Sequence, residues 1–196
     1  MTANGSASWS TAQAPTGLTS SMYFDGSRDW ISTPDAVEFD LGASSWTIES
    51  RMQYIARSQY GTMVCQIGSY PSGSPGWWII GPSAGDQNIY FEWTTNGSTW
   101  LYLAFPWAPT NGVWYDVALV KNGTALTAYV NGSQIGSTQT CAGTFFNSVS
   151  TVDIGGVSGQ GAASYDFYGY IASLRITAGI ARYTSNYTPP SLPLPR

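Results

Sequence analysis

Two Asn-Gly steps, Asn122-Gly123 and Asn131-Gly132, divide the stretch 114–137 into three β-prone runs. A two-residue Asn-Gly loop favours the primed turns, whose twist matches paired strands; in type I′ both central residues take positive φ. The stretch therefore predicts antiparallel strands at 114–121, 124–130 and 134–137. Alternation along the first puts Trp114, Asp116, Ala118 and Val120 on one face. Tyr115, Val117, Leu119 and Lys121 take the other. A chain with this centre folds as antiparallel β.

Other short runs fit the same plan, at 21–24, 30–33, 46–52, 62–67, 77–80, 89–93, 100–105, 152–155 and 168–177, with Gly, Pro and Asn between them. About a dozen short strands at close spacing predict an all-β sandwich of two antiparallel sheets. No amphipathic helix longer than a turn or two is visible. At 196 residues the chain supports one sizeable core. Three segments follow: a polar N-terminal arm over 1–17, a sandwich over 18–187 and a proline-rich tail over 188–196. An ordered polar arm needs a surface to lie on, either its own domain or a neighbouring subunit.

Charged residues make up 9% of the chain, against about 25% in ordinary soluble domains. The net charge is −4, and the seven cations are scattered. No basic stripe exists to neutralise phosphates, which argues against nucleic acid as a partner. Histidine is absent, removing the commonest general base and metal ligand together. Cys65, in Met63-Val-Cys-Gln-Ile67, shares a face with Met63 and Ile67 and reads as a buried thiol; a bridge to Cys141 stays open. No secretory signal or membrane-spanning run is visible, so the expectation is synthesis and folding in the cytoplasm.

Five pieces occur in order: Tyr23-Phe-Asp-Gly26, Trp46-Thr-Ile-Glu49, the stretch 114–132, Asp153-Ile-Gly-Gly156 and Gly169-Tyr-Ile-Ala-Ser-Leu-Arg-Ile-Thr177. Together they resemble the laminin G-like branch of the concanavalin A-like jelly roll, over about residues 20–190. The segment 179–190 further resembles versions of that domain on bacteriophage structural proteins. The resemblance implies two face-packed sheets with the first strand beside 168–177. Trp114 and Tyr129 are large enough to fill an inter-sheet gap of about 10 Å. Those relatives carry an acidic residue where this chain has Ala172-Ser173, so a ligand role there is lost.

The fold also hosts glycosidases, which use two carboxylates about 5–9 Å apart. The glucanases of the resemblance place theirs as Glu-x-Asp-x-x-Glu, and no such run exists here. Glu38, Glu49 and Glu92 are isolated from one another. Glu49 reads as a solvated outer-face residue, Lys121 as a solvated residue beside a turn, and Asp116 and Asp153 as hydrogen-bonded structural groups. No catalytic residue is assigned, and the chain reads as non-enzymatic.

Calcium is a candidate cofactor through Asp25 and Asp29, with Asp35 nearby, although turn chemistry explains Asp25-Gly26 unaided. Sugar binding has more material. Aromatic rings stack on the apolar faces of sugars, and Tyr70, Trp77, Trp78, Trp100, Tyr102 and Trp107 fall near loops or strand ends. Trp77 and Trp78 face opposite ways, so at least one is expected outside the core. The competing reading gives most tryptophans to the core or to an interface. The Asn-x-Ser/Thr steps at Asn4, Asn96, Asn122, Asn131 and Asn186 read as turns rather than glycan acceptors.

Two functions follow as expectations. The first is a non-enzymatic bacteriophage virion protein, either a capsid decoration or a tail or fibre module. It would be a homo-oligomer that cements capsid or tail subunits through its arm and tail. The alternative is a carbohydrate-binding module for host-surface glycans.

Overall fold

The computed structural model describes residues 1–68, 76–159 and 165–194. Among these residues fourteen strands form two antiparallel sheets of seven. The first sheet runs β1 (Thr2–Asn4), β4 (Trp30–Thr33), β13 (Val152–Ile154), β6 (Gly61–Gln66), β7 (Trp77–Gly81), β8 (Asn88–Thr94), β9 (Trp100–Pro106). The second runs β12 (Ser133–Thr140), β11 (Ala125–Val130), β10 (Trp114–Asn122), β5 (Trp46–Tyr54), β14 (Tyr168–Ala178), β3 (Ser21–Asp25), β2 (Ser8–Ser10). A 3-10 turn at Val37–Phe39 is the one helical element among the described residues. The all-β sandwich expectation holds. So does the pairing of the 21–24 strand with 168–177, which sets Phe24 opposite Gly169 and Tyr23 opposite Tyr170.

The two Asn-Gly steps make different turns. Val130 pairs with Ser133, leaving Asn131 and Gly132 as the loop, at φ 51° and 76°. Both central residues are left-handed, as a type I′ turn requires. Asn122 instead pairs with Ala125, so it belongs to the strand and the loop is Gly123-Thr124. There only the first central residue, Gly123 at φ 61°, is left-handed, which is the II′ pattern. Gly132 has a second constraint, because a Cβ there would strike the carbonyl oxygen of Tyr187.

Alternation along each strand fills the gap between the sheets with Trp46, Ile48, Met52, Tyr54, Trp77, Ile79, Phe91, Trp93, Phe105, Val117 and Leu119. The Trp46 ring lies 5.0 Å from that of Phe91, which lies 5.6 Å from Phe145. Each fully buried large side chain contributes roughly 1.5–3 kcal/mol. Trp114 and Tyr129 do not fill this gap. They share parity with Ala118 and Val120, and Tyr129 packs with those two on the outer face of the second sheet. The face shared by Met63, Cys65 and Ile67 is broken by a register shift between Thr62 and Val64. Two consecutive residues, Met63 and Val64, reach the main core, as a bulge allows, while Cys65 and Ile67 turn outward. Both cysteines are buried and free.

The N-terminal segment lies on its own domain. Thr2–Asn4 pairs with β4 and Ser8–Ser10 with β3, so one segment supplies an edge strand to each sheet. Short polar residues suit edge positions, where one row of backbone groups faces water. The segment just before the proline-rich tail is also laid down on the molecule, and the tail itself is held by Arg51 Nη2, which donates to the Pro190 carbonyl at 2.8 Å. Tyr183 and Tyr187 stack at 3.6 Å and 5°, and both cover Ala118, Val120 and Tyr129.

Two further departures concern charged side chains read as solvated, Glu49 and Lys121. Glu49 is on the outer face but not solvated: its side chain is 0% exposed and pairs with Arg175. Tyr183 adds a hydroxyl donor to Glu49 at 2.8 Å. Asp116 is a structural group as expected, paired with Arg51 and accepting from Tyr187 Oη at 2.6 Å. Lys121 is likewise buried, its Nζ donating to the carbonyls of Ala43 and Ser44 at 2.8 and 3.1 Å.

Candidate functional site

The six aromatic positions read from the sequence separate sharply. Trp77 is 1% exposed and sits in the main core, where its Nε1 donates to Gln66 Oε1 at 3.1 Å. Trp78 does face the other way, yet it is 0% exposed. It anchors a second apolar cluster on the outer face of the first sheet, with Cys65, Ile67, Ile80 and Val157. Trp107 is buried between Tyr54 and Tyr115. These three are packing residues, because an outer face can itself be covered by neighbouring side chains. Tyr70 lies outside the described residues. Trp100 and Tyr102 remain together on β9, the free edge of the first sheet, and Tyr102 is 67% exposed.

The local sequence places them. Strand β9 alternates Trp100, Tyr102 and Ala104 outward with Leu103 and Phe105 inward, the latter two packing on the main core. Strand β8 alternates likewise, with Tyr90 and Glu92 outward between the buried Ile89, Phe91 and Trp93. Register then sets Trp78, Glu92 and Tyr102 in one row across β7, β8 and β9. The Ala104 carbonyl accepts from Gln139 Nε2 of the other sheet at 2.7 Å, so its backbone groups point away from β8. Tyr102, two residues along, points its N–H and C=O the same way. Tyr102 and Glu92 are therefore a non-hydrogen-bonded pair, the kind whose side chains approach most closely.

A groove of about 440 Å³ runs beside this edge, lined by Trp93, Trp100, Leu101, Tyr102, Leu103 and Thr140. Leu101 is itself 41% exposed. On the sheet side of Tyr102 lies Glu92, half-buried, with no hydrogen-bond donor among the described residues. Burial pushes its carboxyl above the ordinary range, because the charged form loses solvation and gains no partner. Beyond it a tyrosine path continues: Tyr90 lies 6.1 Å from Tyr102, and Tyr60 6.2 Å from Tyr90. Asp86 ties the far end, accepting from Tyr60 Oη at 2.7 Å and Tyr90 Oη at 2.6 Å. Those bonds hold the Asp86 carboxyl below its usual range and push the Tyr90 phenol up to about 12.

Chemically, this edge offers one exposed ring, an ionisable acceptor without a donor, and an outward backbone donor and acceptor. Such a set can hold a polyhydroxylated ligand by stacking and hydrogen bonds. The sequence reading found Trp100 and Tyr102 but set Glu92 aside as isolated. The signal it did not use was the alternation of β8 combined with the β8–β9 register. A separate groove of about 460 Å³ between the β1 and β2 edges is lined mainly by apolar side chains, among them Met22, Ile31 and Ile171. It presents no carboxylate.

Asp25 and Asp29 do come together, but their oxygens are engaged. Asp29 accepts from the Ser6 and Asp25 amides at 2.5 and 2.7 Å. Asp25 accepts from the Ser27 amide at 2.8 Å and Ser6 Oγ at 2.6 Å. The Ser6 hydroxyl, chiefly, holds the Asp25 carboxyl below its usual range. Asp35 is elsewhere, accepting from Gln66 Nε2 at 2.8 Å. Among the described residues no three Asp, Glu, His or Cys side chains gather as a metal site. The aspartates fasten the N-terminal arm to the 25–29 turn.

Comparison with known proteins identifies the family of the fold. The family model described as the concanavalin A-like lectin/glucanases superfamily matches residues 25–179. Domain 4 of AbnA, an extracellular arabinanase from Geobacillus stearothermophilus solved with arabinotriose, superposes with a TM-score of 0.63 at 17% identity, covering 90% of this chain and 77% of that one. The CBM40 of the Ruminococcus gnavus IT-sialidase, bound to alpha2,3 sialyllactose, gives 0.60 at 18%, covering 81% and 93%. The enzymatically active domain of tailspike protein 2 from bacteriophage CBA120 gives 0.61 at 15%, covering 87% of this chain but 27% of that one. At these identities the likeness carries the fold alone. No curated protein matches the chain.

Proposed function

Because the chain belongs to the concanavalin A-like lectin/glucanase superfamily, we propose that it is a carbohydrate-binding module that holds a sugar over Tyr102 without cleaving it. The observation that carries this reading is the pairing of an exposed ring with a carboxylate that has no donor among the described residues, directly across two strands. A pyranose or furanose presents an apolar face for the ring and hydroxyls for Glu92 and the outward Tyr102 backbone. The sugars present in the arabinanase-domain and sialidase-module structures support the class of ligand.

The absence of cleavage rests on the carboxylates. Hydrolysis takes an acid and a second carboxylate across the bond. Glu92 has a free carboxylate, but Asp86 is bonded by Tyr60, Tyr90 and Asn88. Glu49 and Asp116 are ion-paired on the other sheet. A glycan array read with wild type and Tyr102→Ala tests the binding. Retention on at least one glycan, lost in the variant, is expected, and no retention on any glycan sinks the reading. Release of reducing sugar would make the protein a hydrolase instead.

A second reading places the module on a bacteriophage particle, as a capsid decoration or part of a tail or fibre, made in the host cytoplasm and assembled with other virion subunits. The likeness to the CBA120 tailspike domain supports it. The arm pairs with both sheets, and Arg51 donates to the Pro190 carbonyl of the tail, so contacts to neighbouring subunits would come from the sandwich surface. Co-sedimentation of the purified chain with isolated particles tests this, and its absence from the pellet removes it.

A further inference from the structure

We propose that the Tyr102 site selects uncharged saccharides and rejects anionic ones; this rests on the sugar-binding reading above and narrows it. The basis is where the cations are. Arg51 is paired with Asp116, and Arg175 and Arg182 approach Glu49, all on the outer face of the second sheet. Lys121 is spent on the Ala43 and Ser44 carbonyls. The backbone amide of Arg28 donates to Asp166, which fixes that residue in the turn beside Asp25 and Asp29. Arg57 donates to the Ser83 carbonyl at 3.5 Å, in the loop that also holds Asp86. The stretches 69–75 and 160–164, outside the described residues, contain no Lys or Arg, and Arg196 ends the chain.

What faces the ligand is of the opposite sign or neutral. Glu92 stands one strand from Tyr102, and Asp86 closes the tyrosine path. An ionised carboxylate accepts hydrogen bonds and cannot donate them, so it matches hydroxyl groups. A sialic acid, uronate or sulfate ester placed over Tyr102 would bring a second negative charge beside a partly desolvated carboxylate. Among the described residues no guanidinium or ammonium stands there to offset it, and like-charge juxtaposition of this kind weakens association. The sialyllactose-bound module shares this fold, so the proposed selectivity is a matter of side chains and not of the fold.

The test is an array on which neutral oligosaccharides stand beside sialylated, sulfated or uronate-bearing counterparts, read with wild type, Tyr102→Ala and Glu92→Gln. Wild type is expected on neutral members, with anionic counterparts at least about tenfold weaker. Its retention on neutral members should be insensitive to added salt, since no ion pair is formed. Tyr102→Ala should lose retention on all members. Glu92→Gln should bind neutral members less tightly and narrow the gap to the anionic ones, a change that a purely structural role for Glu92 would not produce. Equal or tighter retention on anionic counterparts overturns the selectivity and leaves sugar binding standing. Retention on nothing removes both.

Discussion

Glu49 and Arg175 are cross-strand partners on β5 and β14, and Arg175 Nε and Nη2 both donate to Oε1 of Glu49, at 2.9 and 2.7 Å. The Glu49 side chain is fully buried, so its charge depends on this fork. Removing one partner of a buried pair typically costs about 3–5 kcal/mol. Arg175→Met should therefore lower unfolding stability by about 3 kcal/mol, the low end because Tyr183 still donates to Oε2. Urea titration reads this directly. An unchanged midpoint would mean that the pair contributes nothing net.

Tyr102 and Trp78 separate binding from packing. Tyr102→Ala removes a largely exposed ring and should shift stability by less than about 0.5 kcal/mol while abolishing glycan retention. Trp78→Ala empties a fully buried position and should cost about 3–5 kcal/mol. Any loss of binding in that variant would therefore report unfolding. Parallel melting and array measurements on the two variants distinguish these roles, and retention in a folded Tyr102→Ala chain would move the site elsewhere.

Glu92 carries a stability cost with a defined sign. Its folded-state carboxyl titrates above the ordinary value because burial disfavours the charged form. Folding is therefore favoured while the group is protonated, and that contribution is lost as pH rises through the raised value. Glu92→Gln removes the titration. The variant should melt about 1–2 °C above wild type at neutral pH, with the difference vanishing below the ordinary glutamate range near pH 4. Melting curves across that range check it, and a variant less stable at pH 7 would show that Glu92 has a partner.

Asp25 and Asp29 are bonded to Ser6 and to turn amides, leaving little capacity for a cation. Addition of calcium or of a chelator should leave the melting temperature within about 1 °C, since a ligand stabilises only where it binds the folded state. A saturable upward shift with calcium would reassign these aspartates as ligands.

Cys65 and Cys141 should be silent to thiol reagents in the native state. Burial pushes both thiols up, Cys141 to about 12 and Cys65 well above its ordinary value, so neither supplies thiolate at neutral pH. Labelling is expected only after denaturation, at both positions. Native labelling of either would mean that its cover opens.

Much of the fold was legible because alternation and turn chemistry are local. The strand starts Trp30, Trp46, Trp77, Trp100, Trp114, Val152 and Tyr168 coincide with those of β4, β5, β7, β9, β10, β13 and β14. What escaped depended on the third dimension. Trp78 looked available because strand parity reports which face a residue takes, not whether Tyr60, Tyr90, Trp100 and Tyr165 cover that face. Glu49 looked solvated because Tyr183, which reaches it, is 134 positions away in sequence. Met63 changed faces at a bulge that no residue type announces. In the candidate site, aromatic type alone found Tyr102, whereas Glu92 needed the β8–β9 register.

The placement of the N-terminal strand at one rim of the sandwich bears on how the molecule can be displayed. Strands β1 and β9 bound opposite ends of a seven-strand sheet, six inter-strand steps and roughly 30 Å apart at ordinary spacing. A tether joined ahead of Thr2 would leave Tyr102 on the distant rim, open to a glycan-coated surface. Copies anchored that way in a dense array could engage such a surface together, turning weak single contacts into lasting adhesion.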